Sequence, residues 1–135
     1  MTLLCLNLYF LWGYSGVVRG RTKTAMNPED VKTVSKGAKL VEADPPEVAR
    51  VLRAYANAAA SILPFGFLGL FWVLLGADKV TALFVFGAFT FFRWLHSIVY
   101  LWGKQPFRTL AFVGAGIAAG AAMVFVVRGL LERMG

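Results

Sequence analysis

The chain has 135 residues, of which 59% are hydrophobic, and a formal net charge of +7. A soluble domain of this size has too small an interior to bury so much apolar surface, so this composition excludes a soluble globular protein. A positive balance is also found in nucleic-acid-binding proteins. Here, however, most of the charge lies beside the hydrophobic segments, so we reject that function.

Long uncharged segments occur four times along the chain, and each can form a membrane-spanning helix if the third continues through Arg93 and His96. A helix needs about 20 residues to cross the hydrocarbon core of a bilayer. We therefore predict an all-α integral membrane protein that forms one domain over residues 1–135. The four predicted transmembrane helices cover about residues 2–18, 45–75, 79–102 and 106–131.

The basic residues are distributed unevenly over the predicted connections. Eight of the fourteen lie between Arg19 and Arg53, Lys79 stands alone in the second connection, and the third contains Lys104 and Arg108. By the positive-inside rule, the first and third connections are cytoplasmic. We therefore predict a multi-pass protein whose N- and C-termini both lie on the non-cytoplasmic side.

The first segment could also be a signal peptide, but it has no basic n-region and no small-residue cleavage site. A transmembrane helix with its N-terminus outside is the better interpretation. The polar connection that follows, residues 19–44, contains a turn signal at Asn27-Pro28. At the end of this connection, Asp44 is predicted to cap the second helix.

The start of the second helix carries the polar side chains Arg50, Arg53 and Asn57. On a helix these positions lie within about 60° of one another. Polar groups at this depth are costly unless they face protein or a water-filled cavity, which favours a site on this face. The alternative is that both arginines extend to anionic lipid head groups.

The third helix repeats this pattern with Arg93, His96, Ser97 and Tyr100 on one face. Alone, His96 would be interpreted as a buried core histidine. Because an arginine and a tyrosine share its face, and a second basic stripe lies on the adjacent helix, a polar pocket is the better interpretation.

Together these helices and the start of the fourth predict a cluster of cations and hydrogen-bond donors at the cytoplasmic surface. Its members are Arg19, Arg50, Arg53, Asn57, Arg93, His96, Tyr100, Arg108 and Thr109. Guanidinium groups bind carboxylates and phosphates bidentately, and they lower the pKa of a nearby thiol. The cluster therefore suits an acidic thiol ligand, and an anionic lipid equally well. With one histidine and one cysteine, no metal site is predicted.

The fourth helix contains Gly114, Gly116 and Gly120, which superficially resemble a dinucleotide fingerprint. No strand precedes them, so we reject that interpretation. Gly116 and Gly120 form a small-residue face of the kind that lets membrane helices pack closely. We therefore predict that this face contacts another subunit.

Three segments resemble the MAPEG family, the membrane-associated proteins of eicosanoid and glutathione metabolism: RTKTAMNPEDV, ARVLRAYANAAASILPF and RWLHSIVYLWGKQPFRTLAF. The resemblance implies a four-helix bundle that assembles as a homotrimer and binds glutathione between subunits. It implies glutathione contacts at Arg19, Arg53, Asn57, His96 and Tyr100. We predict that Arg50 and Arg93, on the same polar faces, support these contacts. It further implies that Arg108 and Thr109, supplied by a neighbouring subunit, stabilise the glutathione thiolate.

The implied function is a membrane-bound glutathione transferase or peroxidase that acts on lipophilic electrophiles, with membrane lipids around it. The family motif has acids where this chain has Ala49 and Ala60, and other polar residues at Ala56 and Phe112. The acid at the position of Ala60 meets the glutathione amino group in the family. Its loss leaves an alternative, a non-catalytic lipid-binding scaffold of the same family.

Overall fold

The computed structural model describes residues 1–135 and is almost entirely helical. Four long helices and one short helix are joined by brief connections, and two strands of two residues each pair in parallel within the longest connection. The elements are α1 (Thr2–Thr22), β1 (Thr24–Ala25), α2 (Pro28–Lys32), β2 (Lys39–Leu40), α3 (Pro46–Leu74), α4 (Lys79–Trp102) and α5 (Phe107–Met134).

Three helices, α3, α4 and α5, are long and apolar enough to cross a membrane by length and composition. Their outward side chains, such as Leu63, Phe67 and Phe84, are large, apolar and exposed, as lipid contact requires. Helix α1 has 21 residues but is not one of the three. Its polar and small residues, including Asn7 and Ser15, reduce its mean hydropathy.

The first helix is longer than the predicted range of residues 2–18. It continues to Thr22 and ends at Lys23, whose backbone is left-handed, with φ of 49°. Arg19 and Arg21 therefore lie in the last turn of α1 rather than in the connection. Basic side chains in a last turn interact favourably with the negative end of the helix dipole, which explains why the helix continues past the apolar segment.

The prediction that Asp44 caps the second long helix is wrong. Helix α3 begins at Pro46 after Pro45, and no side chain caps its N-terminus. The Asp44 carboxylate instead accepts hydrogen bonds from Arg19, with Nη2 at 2.8 Å from Oδ1 and 3.0 Å from Oδ2. This bidentate ion pair ties the end of α1 to the start of α3.

Short turns connect α3 to α4 and α4 to α5. Asp78 caps α4 by accepting from the Thr81 backbone N–H at 2.8 Å, and this bond lowers the pKa of the Asp78 carboxyl. At the other end, Gly103 caps α4 with φ of 68°, a conformation that glycine adopts without strain. Because both connections are short, α3 is the antiparallel neighbour of α4, and α4 is the antiparallel neighbour of α5.

The core lies between α3, α4 and α5, with α1 packed on α3 and α4. Helix α5 presents a buried alanine face, Ala111, Ala115, Ala118 and Ala122, which permits close approach of its neighbours. Gly114 has a similar role, because a Cβ there would lie 2.7 Å from the Phe92 ring. Aromatic stacking completes the core, with the Phe65 and Phe89 centroids 3.6 Å apart.

One end of the bundle collects most of the basic side chains, and we call it the basic end. It contains the last turn of α1, the first turns of α3, the last turn of α4 and the first turn of α5. Arg50, Arg53, Lys104 and Arg108 lie in or beside these turns, which places them together at one membrane surface.

Candidate functional site

Arg93 is the largest fully buried side chain of the protein, and it links α4 to α3. Its Nη2 donates to the Asn57 carbonyl oxygen at 3.1 Å and to the Asn57 side-chain Oδ1 at 3.0 Å. The buried Nε of Arg93 has no hydrogen-bond partner within the chain. The two predicted polar stripes therefore meet directly, and Arg93 fixes the orientation of the Asn57 amide.

His96 lies one turn along α4 from Arg93 and is almost fully buried. Its ring contacts the Tyr100 ring with centroids 5.5 Å apart and the Phe112 ring at 6.0 Å. Its buried Nδ1 makes no hydrogen bond within the chain. His96 is therefore held by aromatic packing and keeps its polar atom free.

The Arg108 guanidinium lies over the Tyr100 ring, with Cζ 4.9 Å from the centroid. A cation over a tyrosine face is attracted by the ring electrons. This contact joins the first turn of α5 to the last turn of α4. It brings Arg108 to the same surface as Tyr100 and His96 in one chain.

Gln105 lies between the two residues predicted to act on a thiol. With its amide oriented to satisfy both neighbours, its nitrogen donates to Thr109 Oγ1 at 3.1 Å and its oxygen accepts from Arg108 Nη2 at 2.6 Å. The Arg108 side chain is thus held on one side by Tyr100 and on the other by Gln105. Both Arg108 and Thr109 lie in the first turn of α5, where the helix dipole adds positive potential.

A cavity of about 180 Å³ extends from the Arg93 side chain into the apolar part of the bundle. Ser61 and Pro64 of α3 line it on one side, and Phe112, Gly116 and Ala119 of α5 line it on the other. Phe112 contacts both this cavity and His96. The polar groups therefore lie next to an apolar space in the bundle, an arrangement that suits a charged ligand beside a lipophilic one.

Three predicted site residues lie apart from this cluster. Arg19 is paired with Asp44, 25 residues along the chain. Arg50 leans over the end of α4, where its Nη1 would be 2.5 Å from a Cβ on Gly103. Arg53 is exposed and makes no side-chain hydrogen bond or ion pair. The structure thus brings together Asn57, Arg93, His96, Tyr100, Arg108 and Thr109.

Two polar contacts were missed by the sequence analysis. Gln105 precedes α5, and its amide contacts both Arg108 and Thr109 of the first turn. Asn7 is buried, and its Oδ1 accepts from Ser97 at 3.0 Å, which ties α1 to α4. An amide in an apolar helix is an available signal for such a contact.

This fold and site define a class: a multi-pass helical membrane protein with a cationic, hydroxyl-bearing site where its helices reach one surface. The sequence model of the MAPEG family matches residues 1–128. The chain belongs to the MAPEG family, and the resemblance found in its sequence is confirmed.

Enzymes of two names are among the most similar relatives. Prostaglandin E synthase of Equus caballus is 36% identical over 128 residues, which cover 93% of this chain and 82% of the relative. Microsomal glutathione S-transferase 1 of Rattus norvegicus is 38% identical over 125 residues, covering 90% of this chain and 81% of the relative. The Mus musculus protein of the same name is 37% identical over 126 residues.

Proposed function

We propose that this chain is a membrane-bound glutathione transferase or peroxidase that holds glutathione as a thiolate and presents it to lipophilic electrophiles. The observation that carries the proposal is the position of Arg108. Its guanidinium lies over Tyr100, beside Thr109 and at the N-terminus of α5. Relatives named for glutathione transfer and prostaglandin E synthesis support the same class of reaction.

In this proposal the ligand's charged groups and its sulfur are bound by different residues. Arg53 is exposed and unpaired one turn from Asn57 on α3, so it is available for a glutathione carboxylate. His96 and Asn57 supply further polar contacts, with Arg93 holding Asn57 in place. The sulfur then lies near Arg108 and Thr109, which the resemblance assigns to the neighbouring subunit, and there positive charge and a hydroxyl donor favour the thiolate.

The reaction with an aryl halide follows from this placement. The thiolate sulfur forms a bond to the ring carbon, the carbon–halogen bond breaks, and halide leaves with the electron pair. The thiol proton passes to solvent when the thiolate forms. The protein contributes positioning and charge stabilisation, which are effective in a site that excludes bulk water.

Conjugation of glutathione to a generic aryl halide by the detergent-purified protein tests this function. We expect turnover above the uncatalysed rate, and glutathione saturation at a finite KM. The matched control is Arg128→Ala, which removes an exposed arginine at the far end of α5. Absence of both conjugation and glutathione binding would overturn the proposal.

The second candidate function is a non-catalytic lipid-binding scaffold of the same family. Ala49 and Ala60 favour it, because the family motif has acids at these positions and one of them meets the glutathione amine. For this candidate, purified protein would retain lipid and show neither conjugation nor heat of glutathione binding.

We further propose that α1 is a fourth membrane span, that the basic end is cytoplasmic with both termini opposite, and that the chain forms a homotrimer. Glutathione would bind between subunits, as the resemblance implies. The face of α5 with Gly116 and Gly120 supports assembly. A Cβ at either glycine would meet no atom within 4 Å inside the chain.

Gly116→Leu is expected to weaken this assembly, because a leucine on that face blocks the close approach of another helix. Native mass spectrometry in mild detergent measures the fraction of trimer. The matched control is Gly87→Leu, since Gly87 of α4 is equally open within the chain. Wild-type protein that is only monomeric, or equal trimer fractions for both variants, would contradict the prediction.

A further inference from the structure

A groove lies between α1 and α4 at the basic end, on a different face of α4 from His96. Ile98 follows His96 by two residues, so it projects about 200° around the helix from the site. Phe10, Tyr14 and Val18 of α1 line the groove opposite Ile98, in a volume of about 720 Å³. Phe10 and Ile98 are exposed apolar residues, so this part of the groove is apolar and open to the outside of the bundle.

Charged residues surround only the basic end of this groove. Arg21 and Thr22 end α1, Glu47 and Arg50 begin α3, and all four line the groove. None of the three charged side chains makes an ion pair, because the chain's two pairs are Arg19 with Asp44 and Arg128 with Glu132. This charged end of the groove, which we call the rim, therefore has two guanidinium groups and one carboxylate that form no ion pair within the protein.

Arg50 is kept at this rim by the end of α4. Its Nη1 is so near Gly103 that a Cβ there would lie 2.5 Å away. Trp102, the last residue of α4, is exposed and lines the same rim. Tryptophan is enriched at the level of lipid head groups, which marks this end as the interfacial one.

We propose that this groove binds one phosphatidylethanolamine molecule. The phosphate lies between Arg21 and Arg50, the ammonium group donates to Glu47, and an acyl chain follows the apolar wall toward Phe10. From Arg21 to Phe10 the helix rises about 16 Å, enough for most of one acyl chain. The guanidinium groups supply bidentate donors for phosphate.

The rim favours this lipid over other occupants. Phosphatidylcholine carries no N–H group to donate to Glu47, and phosphatidylglycerol has no cation to offer it. A second copy of the chain is proposed to pack on another surface, the face of α5 that carries Gly116 and Gly120, where a Cβ would meet no atom of this chain. The occupant that matches both signs of charge and the apolar wall is an amine-bearing phospholipid.

Native mass spectrometry of the full-length protein in mild detergent tests the proposal. The protein is given equimolar phosphatidylethanolamine, phosphatidylcholine and phosphatidylglycerol with identical acyl chains. We expect preferential retention of phosphatidylethanolamine by wild type, and a loss of at least about tenfold in affinity for Arg21→Gln combined with Arg50→Gln. Glu47→Gln is expected to remove the preference over phosphatidylcholine.

Two further variants separate lipid binding from folding and from total charge. Ile98→Trp keeps every charge and fills the groove, so it is expected to lower lipid retention as well. Lys79→Gln combined with Arg128→Gln removes the same charge at the opposite end, and is expected to retain lipid as wild type does. Arg21→Gln alone is expected to leave glutathione conjugation unchanged, because Arg21 is outside the proposed glutathione site.

Three results would overturn the proposal. One is equal retention of the three lipids by wild type. Another is unchanged phosphatidylethanolamine retention in the Arg21→Gln, Arg50→Gln protein. The third is loss of oligomeric state in that protein, which would assign the groove to contact with a second copy.

Discussion

Arg108→Ala is expected to reduce kcat for glutathione conjugation by at least about tenfold, with a smaller change in the KM for glutathione. Its guanidinium lies in the first turn of α5, where the helix dipole adds to its charge, and Tyr100 and Gln105 hold it there. Raising the thiol pKa by one unit costs about 1.4 kcal/mol of thiolate stabilisation, or tenfold in population. Affinity changes less because Arg53 is expected to bind a carboxylate.

The ultraviolet absorbance of the bound thiolate measures the same effect directly. Arg108→Lys is expected to retain part of the signal, since lysine keeps the charge but loses the planar donor pair. Arg128→Ala is the matched control and should leave both signal and turnover as in wild type. If Arg108→Ala also leaves the thiolate absorbance and the turnover as in wild type, Arg108 is an anchor to lipid phosphate and has no part in catalysis.

Arg93→Ala is expected to give the largest loss of stability, about 2–4 kcal/mol. The substitution removes a fully buried side chain and leaves a cavity beside the existing one. It also removes both hydrogen bonds to Asn57. Arg93→Met fills most of the space, so it should cost only about 1–2 kcal/mol, the range of polar contacts between membrane helices.

Denaturation of the protein in a fixed detergent mixture, followed by circular dichroism, measures these losses. A double-mutant cycle with Asn57→Ala separates the hydrogen bonds from the packing, and the two substitutions should be less than additive. Arg93→Met should also raise the KM for glutathione, because the Asn57 amide loses its fixed orientation. Full additivity, or an Arg93→Ala protein as stable as Arg128→Ala, would show that the contact contributes nothing.

The sequence predicted the parts of the fold that depend on local pattern. Helix α4 runs from Lys79 to Trp102, the range that its apolar segment predicted. On that helix the expected polar face is buried at Arg93, His96 and Ser97. Periodicity is informative here because a polar side chain in an apolar helix has few favourable environments.

Contacts between distant residues could not be predicted in this way. The partner of Arg19 is Asp44, and nothing in the spacing of either residue specifies that pair. Arg50 and Arg53 share a stripe on the sequence, yet Arg50 leans over Gly103 while Arg53 stays exposed. The position of a long flexible side chain depends on the residues that pack against it in the folded protein. The angle at which it leaves its helix does not specify those residues.

The α1 segment shows the limit of hydropathy as a guide. Its uncharged segment predicted a membrane span, but α1 is not among the helices that are long and apolar enough to cross a membrane, which are α3, α4 and α5. One of its polar residues, Asn7, is buried, and its Oδ1 accepts a hydrogen bond from Ser97. A helix whose polar side chains face protein can enter lipid with a lower mean hydropathy, so α1 is proposed as a span because it packs on α3 and α4.

Calorimetric titration of the detergent-purified protein with glutathione, in two buffers of different ionisation heat, tests the central claim most directly. The proposed site predicts saturable binding near neutral pH, with proton release revealed by a heat that depends on the buffer. In Arg108→Ala, binding should persist while proton release falls. Wild-type protein that gives no binding heat, or that binds glutathione with a heat independent of the buffer, would contradict the proposed thiolate site.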